Sequence, residues 1–220
     1  MASGITGPYI LVAHSIGGYH ARVFASQHRA QIAGVVLVDS SHPEQETRSP
    51  EIRGFNAQER EFVRLGRVLM MFGLPRWLGK CWKVSSSSSP QLKTVHAMSV
   101  ARECRPDAFS AIEAQWDGAK ESSTEVTRSG TLDDIPLIVL SHDPQTALGP
   151  GAPSPSELHV EILWTQMQKE LAQLSSRGTQ IVAKDSNHYI QIDRPDVVIG
   201  AIHKVLDEAE RKSRSLSQAH

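Results

Sequence analysis

Short apolar runs alternate with helix-like segments along most of the chain. Four of these runs, each rich in β-forming side chains, predict buried strands over residues 9–13, 32–38, 135–141 and 180–183. Apolar residues at three- and four-residue spacing predict helices elsewhere, including residues 156–175 and 195–212. Strands that alternate with helices in this way indicate an α/β fold built on a short parallel sheet.

The alternation stops between about residues 44 and 130. Helical spacing there predicts helices over residues 57–72, 92–103 and 107–119, and the serine run at 85–89 predicts a flexible connector. A helical excursion between two strands of an α/β sheet is typical of a lid. Its large apolar residues either line an acyl pocket or pack the lid on the body, and both interpretations stay open for Met70, Met71, Phe72, Trp77 and Trp82.

Composition narrows the function classes. The 220 residues are enough for one domain with a sizeable core, so we expect a single domain over residues 1–220. A net charge of −1 favours neither nucleic acid nor an anionic membrane surface as a partner. No apolar run approaches the roughly 20 residues of a membrane span, and no secretory signal is visible. Cys81 and Cys104 form neither a metal set nor a disulfide framework, so we expect reduced thiols and a cytoplasmic protein.

Ser15 lies between a predicted strand and a predicted helix. This strand–turn–helix context is the setting of a nucleophile elbow, whose G-x-S-x-G pattern reads A-x-S-x-G here. The turn requires small residues two before and two after the serine, because the strand and the helix nearly touch. Ala13 and Gly17 occupy those positions.

The run GPYILVAHSIGG, followed by a helix and then GVVLVD, resembles the α/β-hydrolase superfamily, in particular its esterase-like members with a helical lid. The resemblance extends from Gly7 to about Leu206 and is weakest in the lid. It implies a partial α/β-hydrolase fold, a short parallel sheet flanked by helices, with a helical lid insertion at about residues 44–130.

The resemblance also implies a catalytic triad. A serine hydroxyl needs an adjacent base, and the base needs a partner that fixes its tautomer. In this superfamily the chain order is serine, acid, histidine, each at the carboxyl end of a strand. Ser15 is then the nucleophile, His188 the base and Asp143 the acid. Asp39 is the alternative acid, and its other interpretation is a carboxylate that orders its own loop.

The oxyanion hole of the superfamily has two donors. One is the N–H of the residue after the nucleophile, here Ile16. The other donor lies on a loop after an earlier strand. That loop often contains a His-Gly pair, and this sequence has no such pair. Family members have several strands before the elbow strand, which begins here at residue 9, so the resemblance implies that the N-terminal strands of the family are absent. The strand at 9–13 would then be an apolar edge, and we expect a homodimer or a complementing N-terminal half to cover it.

Together these features predict a serine ester hydrolase of the carboxylesterase type, acting through an acyl-enzyme on small-molecule esters with small or medium acyl groups. The triad requires no cofactor and no metal. Two alternatives stay open. The chain is a catalytically weak or inactive fragment that acts through association, or the same residues perform related chemistry such as acyl transfer, perhydrolysis or lactone hydrolysis.

Overall fold

A computed structural model describes residues 6–78 and 105–218 of the chain. The predictions made for residues 79–104 lie outside this range; they concern Trp82, both cysteines, the serine run and the helix at 92–103. A short 3-10 turn at Arg29–Gln31 precedes the second strand. The strands and α-helices follow in this order: β1 (Tyr9–His14), α1 (Gly17–Gln27), β2 (Ile32–Val38), α2 (Gln45–Arg48), α3 (Pro50–Met71), α4 (Leu74–Trp77), α5 (Pro106–Asp117), α6 (Ala119–Arg128), β3 (Leu137–Ser141), α7 (Pro144–Leu148), α8 (Pro155–Ala172), β4 (Gly178–Val182), α9 (Ile190–Asp193) and α10 (Pro195–Gln218).

The four strands form one parallel sheet in the order β1-β2-β3-β4. The predicted fold class, a short parallel sheet flanked by helices, is confirmed. The second strand has the predicted bounds, and the others differ from prediction by one or two residues. The third strand begins one residue after Pro136, whose carbonyl accepts the Val35 N–H at 2.8 Å.

Helices cover both faces of the sheet, which explains why β2 and most of β3 are continuous apolar runs. Alternate residues of β2 point to opposite faces. Val35 and Leu37 pack in a cluster with Ala25 of α1 and Leu171 of α8. On the opposite face, a second cluster joins side chains of β2 and β3 to side chains of α10. Its members include Val36 and Val38 of β2, Ile138 and Leu140 of β3, and Val198, Ala201 and Val205 of α10.

The chain divides into two compact units, Met1–Ile52 with Glu121–His220 and Arg53–Lys120. The sheet belongs to the first unit. The second unit falls inside the predicted lid insertion, with narrower bounds than the predicted 44–130. The helix predicted at 57–72 begins earlier, at Pro50, because proline is well suited to the first turn of a helix.

Within the second unit, α3 and α5 pack together. Gly66 leaves room for the Phe109 ring, since a Cβ there would lie 2.3 Å from it. Arg67 forms an ion pair with Glu113 at 2.7 Å. The side chains of Met71, Phe72 and Trp77 are 67%, 83% and 81% exposed, and their expected role in lining a pocket or packing the lid stays a prediction.

In the part of the sheet that the structure describes, β1 is an edge strand that pairs with β2 alone. Val12, in the middle of β1, is 46% exposed. The homodimer or complementing half expected at this edge stays a prediction. No helix within residues 6–78 and 105–218 is both long enough and apolar enough to cross a membrane.

Candidate active site

The turn after β1 holds Ser15 in an unusual backbone conformation. Its φ is +54°, a left-handed value that few non-glycine residues adopt and that often marks functional sites. The Ser15 N–H donates to the Val38 carbonyl at 3.1 Å. The Ser15 carbonyl accepts the N–H groups of Gly18 at 3.0 Å and Ser41 at 3.1 Å. The Gly18 bond closes the turn, and the other two bonds fasten it to the end of β2 and to the loop that follows. A strained turn between a strand and a helix is the setting of a nucleophile elbow.

The tightest approach in this turn is at Gly18. A Cβ added at Gly17 would lie 3.9 Å from the Ala13 Cβ, an ordinary contact. A Cβ added at Gly18 would lie 1.9 Å from the Ser40 Oγ and 2.9 Å from its Cβ. The close approach that the sequence pattern assigned to Ala13 and Gly17 therefore falls one residue later, between α1 and the buried loop after β2.

His188 lies in the loop between β4 and α9, with its side chain 41% exposed. Its Nδ1 is 2.7 Å from Asp39 Oδ2. Because an ionised carboxylate only accepts, Nδ1 carries a proton, and in the neutral ring the lone pair is therefore on Nε2. The His14 Nε2–H donates to the His188 carbonyl at 2.8 Å, and the two rings lie 4.5 Å apart. His14 thus holds the backbone of the His188 loop.

Asp39 follows β2 with a φ of +43°, and its side chain is fully buried. Its N–H donates to the Leu140 carbonyl at 2.7 Å, which fixes the backbone. Besides His188, its carboxylate accepts from His142 Nδ1 at 2.8 Å, from His142 N–H at 3.1 Å and from Trp164 Nε1–H at 2.9 Å. Burial alone would raise the pKa of Asp39, but the hydrogen bonds from both histidines and Trp164 hold it well below its usual range. Asp39 is therefore ionised at neutral pH.

The expectation that the Asp143 carboxylate meets the His188 ring is corrected by this geometry. Asp143 caps α7, accepting the Gln145 N–H at 3.1 Å and the Thr146 hydroxyl at 3.3 Å. Its Oδ2 also accepts the Asp185 N–H at 3.1 Å. The Asp143 carboxylate bonds the first turn of α7 because the N–H groups there lack acceptors within the helix. The alternative acid, Asp39, is the carboxylate that contacts His188.

Ser15, Asp39 and His188 follow β1, β2 and β4, whose carboxyl ends lie at one edge of the parallel sheet. Within the described residues no hydrogen bond joins the Ser15 hydroxyl to His188; such bonds are often long in unliganded enzymes and tighten when substrate binds. The Ile16 N–H lies just before α1 and has no acceptor among residues 6–78 and 105–218. It is one of the donors that a helix leaves unpaired at its start.

Four neighbours of this site were not predicted: His14, His142, Glu161 and Trp164. His14 directly precedes Ser15 and His142 directly precedes Asp143, and this adjacency to predicted site residues is the only sequence signal that could have identified them. Glu161 and Trp164 lie three residues apart on α8, a spacing that any helix offers. In the ranges that the structure describes, no cluster of three or more His, Cys, Asp or Glu side chains could hold a metal ion.

Comparisons with known proteins agree with this architecture. A family profile described as "Alpha/beta hydrolase family" matches residues 1–201. The structure of a candidate lipase from Acinetobacter baumannii matches with a TM-score of 0.62 and 14% identity, over 96% of this chain and 64% of that protein. A thermophilic esterase from Thermogutta terrifontis matches with a TM-score of 0.53 and 20% identity, over 92% of this chain and 66% of the esterase. At these identities the structural matches show the fold alone.

A curated relative is known from Schizosaccharomyces pombe, an uncharacterized protein 50% identical over 36 residues. Those residues are 16% of this chain and 7% of the yeast protein. The chain thus spans less than two thirds of the lipase and a small fraction of the yeast relative.

Proposed function

The chain belongs to the alpha/beta hydrolase family, and we propose that it is a serine hydrolase that cleaves carboxylic esters through Ser15, His188 and Asp39. The observation that carries the proposal is the 2.7 Å contact between His188 Nδ1 and Asp39 Oδ2. This contact lies at the same sheet edge as the strained Ser15 turn. A buried carboxylate that fixes the tautomer of a partly exposed imidazole is the arrangement that activates a serine.

In the first half of the reaction, Ser15 Oγ attacks the acyl carbon of the ester while its proton passes to His188 Nε2. The imidazolium that forms is stabilised by Asp39, which stays ionised throughout. The tetrahedral intermediate then collapses, and the carbon–oxygen bond to the alcohol breaks. His188 Nε2 returns the proton to the leaving oxygen, and the acyl group remains on Ser15.

In the second half, a water molecule attacks the acyl-enzyme and gives its proton to His188 Nε2. Collapse of the second tetrahedral intermediate releases the acid, and the proton returns to Ser15 Oγ. The negative oxygen of both intermediates would accept the free Ile16 N–H. A single oxyanion donor of this kind is typically worth about a hundred- to a thousandfold in turnover.

The substrate class we propose is a small-molecule ester with a small or medium acyl group. A series of p-nitrophenyl esters from acetate to octanoate would test it, since each releases the same chromophore and only the acyl chain varies. We expect kcat/KM to be largest for the short or medium members and to fall for the longest.

The nucleophile is tested by Ser15→Ala, since alanine leaves the turn without a hydroxyl. Removing the serine of a triad typically costs about a millionfold in kcat, so we expect no hydrolysis above background. Ser26→Ala is a matched control, because the Ser26 hydroxyl donates to the Val23 carbonyl of its own helix. A fluorophosphonate probe should label the parent protein and Ser26→Ala at Ser15, and should leave Ser15→Ala unlabelled.

Two results would refute the proposal. One is hydrolysis by Ser15→Ala within a few-fold of the parent protein. The other is a folded parent protein that neither hydrolyses any ester of the series nor reacts with the probe, which would favour a fragment that acts by association.

A further inference from the structure

The Asp39 carboxylate is shared between two imidazoles. Its Oδ2 lies 2.7 Å from His188 Nδ1 and 2.8 Å from His142 Nδ1. The triad chemistry described above uses only His188. The same residue also binds the other oxygen of the carboxylate through its main chain, since the His142 backbone N–H donates to Asp39 Oδ1 at 3.1 Å. His142 therefore touches both oxygens of the acid and no reacting atom of the triad.

The surroundings of His142 determine its charge. Its Nδ1 faces Asp39, and its Nε2 lies 2.8 Å from Glu161 Oε2. Ionised carboxylates only accept, so both ring nitrogens must donate, and a ring with two N–H groups is an imidazolium. The side chain of His142 is 9% exposed and that of Glu161 15%, so water competes little for these bonds.

The pKa of His142 agrees with the geometry. Burial alone would lower the pKa, but hydrogen bonds to Asp39 and Glu161 outweigh burial and raise it to about 10. The groups that face His142 are Asp39 after β2, Glu161 from α8 and the Trp164 ring, which stacks on it at 6.1 Å. His188, after β4, shares the Asp39 oxygen, while the adjacent Asp143 turns away to α7.

We propose that Glu161 and His142 form a positioning pair for the acid of the triad. Glu161 keeps His142 doubly protonated, and the His142 cation holds Asp39 in place and offsets part of its negative charge. This inference rests on the proposed function. The consequence for His188 is that it faces a carboxylate whose charge is already partly compensated. A proton on His188 is therefore stabilised less than it would be beside Asp39 alone.

Replacing Glu161 by glutamine tests the pair, because the amide keeps the shape and removes the charge. His142 then needs only one N–H, which it keeps toward Asp39, and its Nε2 accepts from the new amide. With the neighbouring cation gone, Asp39 should stabilise a proton on His188 more strongly. We expect the acid limb of the pH profile of kcat/KM to move upward by about one pH unit. Glu125→Gln is the control, because it removes one negative charge from an exposed side chain of α6, and it should leave the pH profile of kcat/KM unchanged.

Nitrogen-15 NMR of the histidine rings separates this inference from the proposed function, since it needs no turnover. In the native protein at pH 8, we expect two N–H signals for the His142 ring, assigned by their loss in His142→Asn. The titration midpoint of the His188 ring should move to higher pH in Glu161→Gln and stay in place in Glu125→Gln.

A neutral His142 ring in the native protein at pH 8 would overturn the inference, whether or not Glu161→Gln folds. A His188 midpoint that does not differ between Glu161→Gln and the parent would overturn it as well. Failure of ester hydrolysis with these NMR results intact would instead count against the proposed function alone.

Discussion

Replacing Asp39 by asparagine should abolish most turnover, because the amide imposes the wrong tautomer on His188. The Oδ1 position of Asp39 is met by the His142 backbone N–H at 3.1 Å and by the Trp164 indole N–H at 2.9 Å. Both groups can only donate, so the oxygen of the new amide is required there. Its NH2 group must then lie at the Oδ2 position, where it faces His188 Nδ1.

An NH2 group donates, so His188 Nδ1 has to accept and the ring proton moves to Nε2. That nitrogen can then no longer take the proton of Ser15. The corresponding substitution in serine proteases lowers kcat by about 10⁴-fold, and we expect a loss of about 10³ to 10⁴. At about 1.4 kcal/mol for each factor of ten, this is a barrier increase of about 4 to 6 kcal/mol.

Asp143→Asn is the matched control, because it makes the same chemical change one strand away. Asparagine caps helices about as well as aspartate, so α7 keeps its cap. We expect kcat/KM on p-nitrophenyl acetate to stay within a few-fold of the parent. Circular dichroism melting of both variants would check that they are folded. If kcat/KM is largely lost in Asp143→Asn and largely retained in Asp39→Asn, the assignment of Asp39 as the acid is refuted.

Two further predictions concern stability. Gly18→Ala should destabilise the protein by about 1 to 3 kcal/mol, because its Cβ would overlap the buried Ser40 side chain, whereas Gly17→Ala should change stability by less than about 1 kcal/mol. Urea unfolding measures the unfolding free energy of both variants, and equal losses would contradict the close contact between Gly18 and Ser40. The pKa of His142 rises from 6.5 to about 10 on folding, so its charge stabilises the fold fully below pH 6.5 and less as the pH rises toward 10. The unfolding free energy should therefore fall more steeply over this range in the parent than in His142→Asn, and parallel curves would show that His142 does not titrate as described.

Much of the fold and part of the site follow from local sequence. A run of apolar residues such as 32–38 favours a strand covered on both sides, and the structure places β2 at those residues. Ser15 could be proposed as nucleophile because an elbow is a local object, in which a strand, a tight turn and a helix adjoin. His188 could be proposed from the chain order that the family resemblance implies, since it follows the last predicted strand. Neither position required knowledge of distant contacts.

The acid is different, because Asp39 and Asp143 occupy similar places in the sequence and only the family resemblance favoured Asp143. Each ends a buried strand of the same parallel sheet, and each lies in a polar loop. Only tertiary structure separates them. Asp143 is turned toward the start of α7, while donors from three distant segments, His142, Trp164 and His188, converge on Asp39.

The same reason explains why Glu161 and His142 were not foreseen as a pair. They are 19 residues apart, and their contact depends on how α8 packs on the sheet. Sequence by itself determined which residues form strands, helices and the serine turn, because those choices depend on neighbours in the chain. The tertiary structure decided which carboxylate meets which imidazole, because a hydrogen bond depends on distances of a few tenths of an ångström between groups far apart in sequence.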